Sequence, residues 1–492
     1  MKILVDNIWT YFDGAFPRGI LDPVTSYLKD GRWFVKAFKA GHWDGRVRFI
    51  EYDRKRQLYR VPTGFLIRCL EALDQHGYPY TLYDDRELEP AEPVYTLSGS
   101  NGSVVDLRHG KWSYQSFVLD QALKHTRGIL KLATGGGKTE IGAAIIASVG
   151  PPAVWLTHRQ NLMYQTHRRL TERLGCRIGL VGDGICDLEP ISVVMVQTLA
   201  MSDKPGYERL RDFLREPRLI IGDEVHHLES DQWFDNFSKI NAGWRFGLTA
   251  TPSLEGPGLA LLAQTGSIIV DINAFDLIER GVLVPPRIWF YKINSKKIPK
   301  SRNYQQVYKE GIVENTDRNE AIAEIANVFK LERKPALTLC KRIGHGELLT
   351  DLLNYRKIKT EFVRGSVKQE DREKILRRLK LGQIDHVVAI AETMAEGADY
   401  PFLRALINAT GSRGGGAVGD EEVGRTTIQI LGRIIRGSSG KTYADYVDFV
   451  DTCHKSILEA SLSRIGTLES QGYAPFINYW QHYKVEAIEQ AV

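Results

Sequence analysis

The stretch Ala133-Thr134-Gly135-Gly136-Gly137-Lys138-Thr139 constrains the fold of this chain more than any other segment. It follows an apolar run, 128–132, and precedes a helical pattern, 140–148. Glycines in such a strand–loop–helix context let backbone N–H groups turn inward, and the helix N-terminus adds its positive end. We therefore predict that residues 134–137 cradle phosphates, that Lys138 reaches the β- and γ-phosphates, and that the Thr139 hydroxyl ligates Mg²⁺.

The loop departs from the strict G-x-x-x-x-G-K-[ST] pattern at one position. That pattern places glycine at residue 132, where this chain has Leu132. A glycine-rich turn that merely leads into a helix therefore remains an alternative for the loop taken alone.

A second segment supplies the acidic groups that nucleotide hydrolysis needs. The apolar run Leu219-Ile220-Ile221-Gly222 leads into Asp223-Glu224-Val225-His226. Acids at the carboxyl end of a parallel strand face the crevice at that edge of the sheet. Asp223 suits Mg²⁺ held through water, Glu224 suits polarising the attacking water, and His226 completes the predicted catalytic segment. A solvated acidic turn is the alternative.

Short apolar runs alternate with helical patterns over most of the chain, which is typical of parallel sheets with crossover helices. The fold class predicted is α/β: two tandem RecA-like lobes, each a parallel sheet with flanking helices, preceded by a small α+β amino-terminal domain. The predicted divisions are a basic, aromatic amino-terminal domain (1–95), a first lobe (96–270), an inter-lobe connection (271–318), a second lobe (319–460) and a helical tail (461–492), with Trp480 and Tyr483 as its packing anchors.

Composition excludes several other classes of protein. Five cysteines lie scattered without a C-x-x-C pair, which disfavours an iron–sulfur site, a structural zinc site and a disulfide framework. An acid at position 6 interrupts any signal-like apolar stretch, and no apolar run reaches membrane-spanning length. A cytoplasmic location without membrane contact is the expectation.

Two arginines near residue 435 have the spacing needed to act together. Arg433 and Arg436 lie three apart and would share one face of a helix, with Gln429 on the preceding turn. Fixed positive charge stabilises the transition state of phosphoryl transfer. We expect the arginines to complete the nucleotide site when two lobes close, and Gln429 to sense the γ-phosphate. A solvated helix face is the alternative.

Positive charge and aromatic residues concentrate near the amino terminus. Residues 29–68 carry eleven Lys/Arg and four Asp/Glu, a local charge of +7 against +5 for the whole chain. Eight aromatic residues lie among them, and we expect most of these to be core residues and the charged face to bind nucleic acid: Trp33, Phe34, Phe38, Trp43, Phe49, Tyr52, Tyr59 and Phe65. Arg54-Lys55-Arg56 is predicted to form a hairpin tip that contacts phosphates.

With these motifs in order, the chain resembles the superfamily 2 helicases and translocases of the DEAH/DExH type over residues 112–437. Tyr114-Gln115 resembles the family's adenine-reading motif, and 249–252 (Thr-Ala-Thr-Pro) resembles the motif that links hydrolysis to strand movement. Residues 393–399 resemble motif V of the family, which implies that Gly397 and Asp399 bind the nucleotide. Residues 429–436 resemble motif VI. The resemblance also implies nucleic-acid contacts, to the backbone rather than to base edges, for six residues: Thr157, His158, Arg159, Gln197, Thr198 and Thr393.

Softer features resemble the UvsW family of phage recombination helicases. They are the small basic front domain, 281–286 (Gly-Val-Leu-Val-Pro-Pro), 312–319 with its Glu-Asn and Arg-Asn pairs, and 340–346. The resemblance implies an ATP- and Mg²⁺-dependent, monomeric motor that unwinds or remodels branched DNA in recombination and repair without sequence preference. An RNA helicase and the translocase subunit of a restriction-type complex remain alternatives.

Overall fold

A computed structural model of the chain describes residues 1–86, 88–202, 204–215, 217–225, 231–299, 303–394, 400–413 and 421–480. The side chains of 231–233, 421–426 and 480 are not part of this description. The chain divides into two compact units. The first consists of Met1–Leu132 and Gly136–Ile272, and the second of Ala133–Gly135 and Asn273–Val492. None of the described helices combines the length and apolar character that crossing a membrane requires.

The first unit begins with a small sheet in the strand order β5-β6-β2-β1-β7 and a separate hairpin of β3 and β4. Strands β1 and β7 run parallel, while the other described pairs of these two sheets are antiparallel. The predicted hairpin is present, since residues 54–57 form the turn between β5 and β6. The elements are β1 Lys2–Val5, β2 Trp9–Asp13, α1 Arg18–Leu21, β3 Ser26–Leu28, a 3-10 turn Arg32–Phe34, α2 Lys36–Lys39, β4 Arg46–Arg48, β5 Glu51–Asp53, β6 Leu58–Pro62, a 3-10 turn Thr63–Phe65, α3 Leu66–Gln75 and β7 Thr81–Asp84.

The rest of the first unit is a RecA-like lobe. Its sheet has the strand order β13-β12-β14-β11-β15-β16-β10-β17, and each described pair is parallel except β12 with β13. The central strands are almost wholly apolar because helices cover both faces of a parallel sheet. The elements are β8 Thr96–Ser98, a 3-10 turn Ser100–Gly102, β9 Val104–Asp106, a 3-10 turn Gly110–Trp112, α4 Tyr114–His125, β10 Arg127–Leu132, α5 Lys138–Val149, β11 Ala153–Thr157, α6 Gln160–Leu174, β12 Gly179–Gly182, β13 Ile185–Asp187, β14 Ile191–Met195, α7 Val196–Leu199, α8 Glu208–Phe213, β15 Leu219–Asp223, α9 Asp231–Ser238, β16 Trp244–Thr249, a 3-10 turn Gly256–Gly258, α10 Leu259–Thr265 and β17 Ile268–Ile272.

The amino-terminal sheet and this lobe share one hydrophobic core. Leu259, Leu262 and Ala263 of α10 pack into the cluster that also buries Phe12 and Phe65. The approach at residue 64 is so close that it requires a glycine. A Cβ there would lie 2.0 Å from the carbonyl oxygen of Leu262. The amino-terminal region is therefore built onto the lobe rather than tethered beside it.

The expectation that most of the eight amino-terminal aromatics are core residues is wrong. Only Phe65 is fully buried, and Phe49 packs partly buried against the same cluster. Trp33, Phe34 and Tyr52 are 56 %, 82 % and 52 % exposed. The small sheet fills its interior with rings and aliphatic chains from elsewhere, such as Phe12 and α10, which leaves these three in solvent.

The second unit is a second RecA-like lobe. Its sheet has the strand order β20-β21-β19-β22-β23-β18-β24, and each described pair is parallel. The elements are α11 Ala274–Glu279, β18 Pro286–Ile293, α12 Tyr304–Tyr308, a π-turn Lys309–Val313, α13 Thr316–Leu331, β19 Ala336–Cys340, α14 Ile343–Tyr355, β20 Thr360–Val363, α15 Gln369–Lys380, β21 His386–Ile390, α16 Ala391–Met394, β22 Ala405–Asn408, α17 Glu421–Ile434, β23 Ala444–Asp451, α18 Lys455–Leu468, a π-turn Glu469–Tyr473, a 3-10 turn Ala474–Phe476 and β24 Ile477–Trp480.

Two segments of this unit differ from expectation. The supposed inter-lobe connection (271–318) contains β18, which pairs along its whole length with β23 and so belongs to the sheet. The supposed helical tail (461–492) continues α18 and then forms β24, which pairs with β18. Trp480 is thus the end of a strand, whose Tyr479 stacks on Phe290 at 6.1 Å between ring centroids, and Tyr483 lies outside the described residues.

A buried network of charges crosses the core of the second unit. Arg464 bonds to Asp448 with Nε–Oδ2 and Nη2–Oδ1 distances of 3.0 Å, and Arg318 Nε lies 3.1 Å from Asp451 Oδ1. All four side chains are at most 4 % exposed. The same guanidinium groups also donate to the carbonyl oxygens of 409 and 412, the residues that follow β22. The network therefore fixes the chain where it leaves the sheet.

Candidate nucleotide-binding site

The loop at 133–139 has the geometry that its sequence predicts. Strand β10 ends at Leu132, and α5 begins at Lys138 with Gly137 before it in the left-handed region at φ +71°. Leu132 is fully buried as the last residue of the strand. Glycine is therefore not needed at 132, because that position belongs to the sheet and not to the loop. The departure from the strict pattern has a structural reason.

Helix α4 brings the predicted adenine-reading pair against this loop. The Tyr114 hydroxyl donates to the carbonyl oxygen of Gly136 at 2.6 Å. A Cβ at Gly137 would lie 2.2 Å from Gln115 Nε2, so the amide packs directly on the loop backbone. Both side chains are buried, at 3 % and 2 % exposure. The Tyr114 and Gln115 side chains thus stabilise the loop through contacts with its backbone.

Sheet topology brings three motifs to one edge. Strands β15, β16 and β10 are consecutive neighbours, so Asp223, Thr249 and Leu132 end side by side at the carboxyl edge. In the pairing register Asp223 lies opposite Leu248, one residue before Thr249. The backbone N–H of Thr251 donates to the Thr249 hydroxyl at 3.2 Å, which shapes the turn after β16. The phosphate loop, the acidic pair and the Thr-Ala-Thr segment thus share the edge where ligands of such sheets bind.

The loop lysine and the acidic pair form one electrostatic unit. Lys138 Nζ lies 3.0 Å from Glu224 Oε1, with side chains 14 % and 18 % exposed. Burial, and next the charge of Glu224, raise the pKa of the Asp223 carboxyl to about 7, while Lys138 opposes the rise. Glu224 itself has φ +50°, a conformation that is uncommon for a residue with a side chain and that clusters at functional sites. A cation that approached Asp223 would favour its ionised form.

The predicted nucleic-acid motifs of the first lobe lie together. Thr157 ends β11 opposite Met195 of the neighbouring β14, so His158 and Gln197 follow adjacent strand ends. Gln197 Nε2 donates to the carbonyl oxygen of His158 at 2.9 Å, and Arg159 precedes α6. Gln197 is exposed and Thr198 half-buried, whereas the Thr157 side chain is fully buried. Thr157 can therefore offer a partner its backbone more readily than its hydroxyl.

In the second unit, arginines hold the backbone around Thr393. Arg372 Nη1 donates to the carbonyl oxygen of Thr393 at 2.7 Å, and Arg433 Nη1 to that of Met394 at 3.3 Å. The structure thus joins the beginning of the predicted motif V to the predicted motif VI. Gly397 and Asp399 of motif V, and His226 in the first unit, lie outside the described residues.

Arg436 does not share a helix face with Arg433, contrary to expectation. Helix α17 ends at Ile434, and Arg436 forms a single β-bridge with Leu283. The backbone N–H of Val284 donates to the carbonyl oxygen of Ile435 at 2.8 Å, which pulls the chain out of the helix. Gln429 and Arg433 remain one helical turn apart on α17.

Lys441, which the sequence did not mark, joins the segment that follows the predicted motif V to the end of α17. Its ammonium donates to the carbonyl oxygens of Pro401 at 3.0 Å, of Leu403 at 2.6 Å and of Ile434 at the end of α17. The residue is 6 % exposed, and burial lowers its pKa to about 8. No local pattern marks this lysine, because two of its three partners lie 40 and 38 residues before it in the sequence.

Two family models match the chain at these motifs. The model "Type III restriction enzyme, res subunit" matches residues 109–254, and "Helicase conserved C-terminal domain" matches 317–438. Together they cover the phosphate loop, the acidic pair and the arginine helix in the expected order. The chain belongs to the superfamily 2 helicases.

Relatives agree with this assignment, and a solved structure shares the fold. The chain is 23 % identical to the ATP-dependent DNA helicase uvsW of Enterobacteria phage T4 over 87 % of its length and 85 % of that protein. It is 30 % identical to the DNA 3'-5' translocase XPB2 of Sulfurisphaera tokodaii over 29 % of its length and 31 % of that protein. Among solved structures, the Type ISP restriction-modification enzyme LlaBIII bound to DNA shares the fold, with a TM-score of 0.55, 15 % identity, and coverage of 75 % of this chain and 30 % of that one.

Proposed function

We propose that this superfamily 2 helicase is an ATP-dependent DNA motor that unwinds or remodels forks and recombination junctions. The observation that carries the proposal is the convergence of the phosphate loop, Asp223-Glu224 and the Thr-Ala-Thr segment at one sheet edge. The match to the ATP-dependent DNA helicase of phage T4 supports DNA as the substrate, because it covers 87 % of the chain and so extends beyond the two helicase domains.

In the proposed site, the N–H groups of Thr134 to Gly137 bind the phosphates of ATP, and Lys138 neutralises the β- and γ-phosphates. Because Lys138 is bonded to Glu224 in this structure, arriving phosphates compete for its ammonium group. Release of Glu224 then frees a carboxylate to accept a proton from the attacking water. Tyr114 and Gln115, which contact the loop backbone, read the adenine.

The donor set beside the loop fits Mg²⁺. A buried carboxylate, Asp223, and the hydroxyl of Thr139 in the first turn of α5 are the oxygen ligands that this ion prefers. When bound, Mg²⁺ neutralises charge on the phosphates during transfer. His226 completes the acidic segment, and Gly397 and Asp399 contribute from motif V.

Residues of the second unit serve the same reaction in this proposal. Arg433 and Arg436 supply positive charge to the transferring phosphate, and Gln429 senses its presence. Arg433 also bonds to the carbonyl oxygen of Met394, so a shift of Arg433 would move the segment that contains Thr393. Through that hydrogen bond, the state of the nucleotide can alter the binding of nucleic acid.

We assign the nucleic-acid contacts to backbone binding. His158, Arg159, Gln197 and Thr198 lie at adjacent strand ends of the first lobe, with Thr157 contributing its backbone, and Thr393 acts in the second lobe. In the amino-terminal domain (1–95), Arg54 and Lys55 are exposed at the hairpin turn. Arg56 stacks on Tyr11, with its Cζ 4.4 Å from the ring centroid, and presents its charge beside them.

ATP hydrolysis by the full chain, measured with and without a DNA fork and with the matched RNA fork, tests the proposal. We expect DNA forks to stimulate hydrolysis, and Lys138→Ala to abolish it. Lys131→Ala is the control, because the ammonium group of this β10 lysine pairs with Asp271 of the neighbouring β17 at 2.8 Å. Absence of stimulation by DNA would refute the proposal, and stronger stimulation by RNA would favour an RNA helicase.

A restriction-type translocase is the second candidate, because one family model is that of a restriction subunit. Such a motor tracks along duplex DNA without separating its strands. Displacement of a third strand from a triplex, with no release of strands from the fork, would favour it.

A further inference from the structure

A short turn in the amino-terminal region presents two aromatic rings to solvent. Residues Arg32–Phe34 form a 3-10 turn that follows Gly31, whose φ of +69° lets the chain reverse. Beneath it, Phe38 packs edge-on against Trp33 at 5.1 Å and against Trp43 at 6.4 Å between centroids. Trp43 Nε1 donates to the carbonyl oxygen of Arg46 at 2.7 Å. The rings of Phe38 and Trp43 therefore hold the turn in place.

Phe34 is the outermost residue of this turn. It is 82 % exposed, and Trp33 beside it is 56 % exposed. The guanidinium carbon of Arg32 lies 3.9 Å from the Trp33 ring centroid and covers one face of that ring. Within the described residues, the Phe34 ring forms no aromatic pair and belongs to no buried cluster. Its apolar surface thus contributes little to folding and is available to a ligand.

Positive charge surrounds the exposed rings. Residues 29–48 contain six Lys/Arg and two Asp. Arg48 is occupied, because it bonds to Asp22 at 2.8 Å and to Asp44, whose pKa it holds well below the usual range. Lys36 and Lys39 are exposed on α2 directly after the rings, and in the part of the chain that the structure describes they form no ion pair. The charge next to Phe34 is therefore uncompensated.

Flat exposed rings flanked by uncompensated lysines match the chemistry of a single DNA strand. Every nucleobase offers a face for stacking, and the phosphates between bases require cations. A folded protein partner would instead favour a continuous apolar surface, whereas here Phe34 projects between charged residues. The arrangement is sequence-independent, because neither a ring face nor an ammonium group reads base edges.

We propose that Phe34, supported by Trp33, stacks on unpaired nucleobases at a DNA branch, with Lys36 and Lys39 binding the adjacent phosphates. This inference rests on the proposed function as a DNA motor and assigns the place where an unpaired strand is held. Because the amino-terminal sheet shares its core with the first lobe, a base held here would be fixed relative to that lobe.

The test uses the full chain without ATP, and a DNA fork with 2-aminopurine at the first unpaired position. Wild type should quench or shift the fluorescence of this base analogue. Phe34→Ala and Phe34→Leu should lose that signal and weaken fork binding about fivefold to a hundredfold, as expected for the removal of one stacked base. Phe34→Tyr should retain both. Tyr355→Ala is the matched control, since this tyrosine is 84 % exposed in the second unit.

The lysines have their own readout. Replacement of Lys36 and Lys39 by alanine should reduce the slope of log affinity against log salt by about 0.7 for each phosphate of a single strand that is no longer neutralised. Wild-type binding by Phe34→Leu would show an apolar contact instead of stacking and would overturn the proposal. So would an unchanged signal in Phe34→Ala.

Failure of this inference is distinguishable from failure of the proposed function. If DNA stimulates wild-type ATP hydrolysis but Phe34 variants bind forks normally, only the stacking site is wrong. If wild type neither binds forks nor responds to DNA, both are wrong. If Phe34→Ala instead loses a protein from a pull-down while fork binding persists, the turn is a protein-binding surface.

Discussion

Arg464→Met tests the buried charge network of the second unit. The substitution keeps most of the side-chain volume but removes the charge that faces Asp448. That carboxylate is fully buried, and its other described partners are neutral: Asn408 Nδ2 at 2.8 Å, the Tyr446 hydroxyl at 2.9 Å and the backbone N–H of Phe449 at 2.6 Å. An uncompensated charge therefore remains in the core.

The expected destabilisation has two sources. Removing one partner of a buried ion pair destabilises a protein by about 3–5 kcal/mol. The carbonyl oxygen of Ser412, which accepts from Arg464 at 2.8 Å, loses its donor and adds about 1 kcal/mol. Addition of Asp448→Asn removes the uncompensated charge. The double variant should therefore recover about 0.5–3 kcal/mol relative to Arg464→Met alone.

Urea unfolding gives the overall decrease in stability, and hydrogen exchange of the amides in β22 and β23 locates it, because both strands flank the network. Arg413→Met is the control. Arg413 pairs with Glu459 at 3.2 Å, but the side chains are 39 % and 47 % exposed, so the cost should stay below about 1 kcal/mol. A cost below about 1 kcal/mol for Arg464→Met, or further destabilisation by Asp448→Asn, would refute the reasoning.

Three further substitutions test other parts of the structure. Gly64→Ala should lower the unfolding temperature of the first unit, because its Cβ would meet the carbonyl oxygen of Leu262 at 2.0 Å; Gly19→Ala, with open space around it, should leave that temperature unchanged. Burial lowers the pKa of His386 to about 3 in the folded protein, whereas the unfolded chain has the ordinary value of 6.5. As the pH falls below 6.5, only the unfolded chain binds the proton, and the free energy of unfolding falls by about 1.4 kcal/mol per pH unit. His386→Gln should remove that slope in urea unfolding between pH 7 and 5, while the equally buried His345 keeps its own; an unchanged slope would contradict the assignment. Lys441→Met should lower DNA-stimulated ATP hydrolysis by freeing the end of α17, whereas Lys455→Met, 80 % exposed, should not.

Local patterns predicted the sheets well. Strands β19 and β21 coincide with the short apolar runs 336–340 and 386–390, which are buried except for the half-buried Ile390. Where the sequence did not predict the secondary structure, pairing with distant segments of the chain determined it. The bridge between Leu283 and Arg436 ends α17 early, and the pairing with β18 makes a strand of 477–480.

Side-chain exposure and long-range contacts could also not be predicted from the sequence. Phe34 and Phe65 are the same residue type in the same basic region, yet one is 82 % exposed and the other fully buried. Which ring enters the core depends on α10, some two hundred residues later in the chain. Lys441 is likewise identified only by its three carbonyl partners.

The joint core of α10 and the amino-terminal sheet limits how such motors can diversify. A front domain joined by a flexible linker can be exchanged between homologues without altering the ATP-binding lobe. Here a transplanted domain would have to bring its own versions of Leu259, Leu262 and Ala263, together with a glycine at position 64. Front domain and ATP-binding lobe are thus expected to be inherited as one piece, and recombination between relatives should preserve that junction intact.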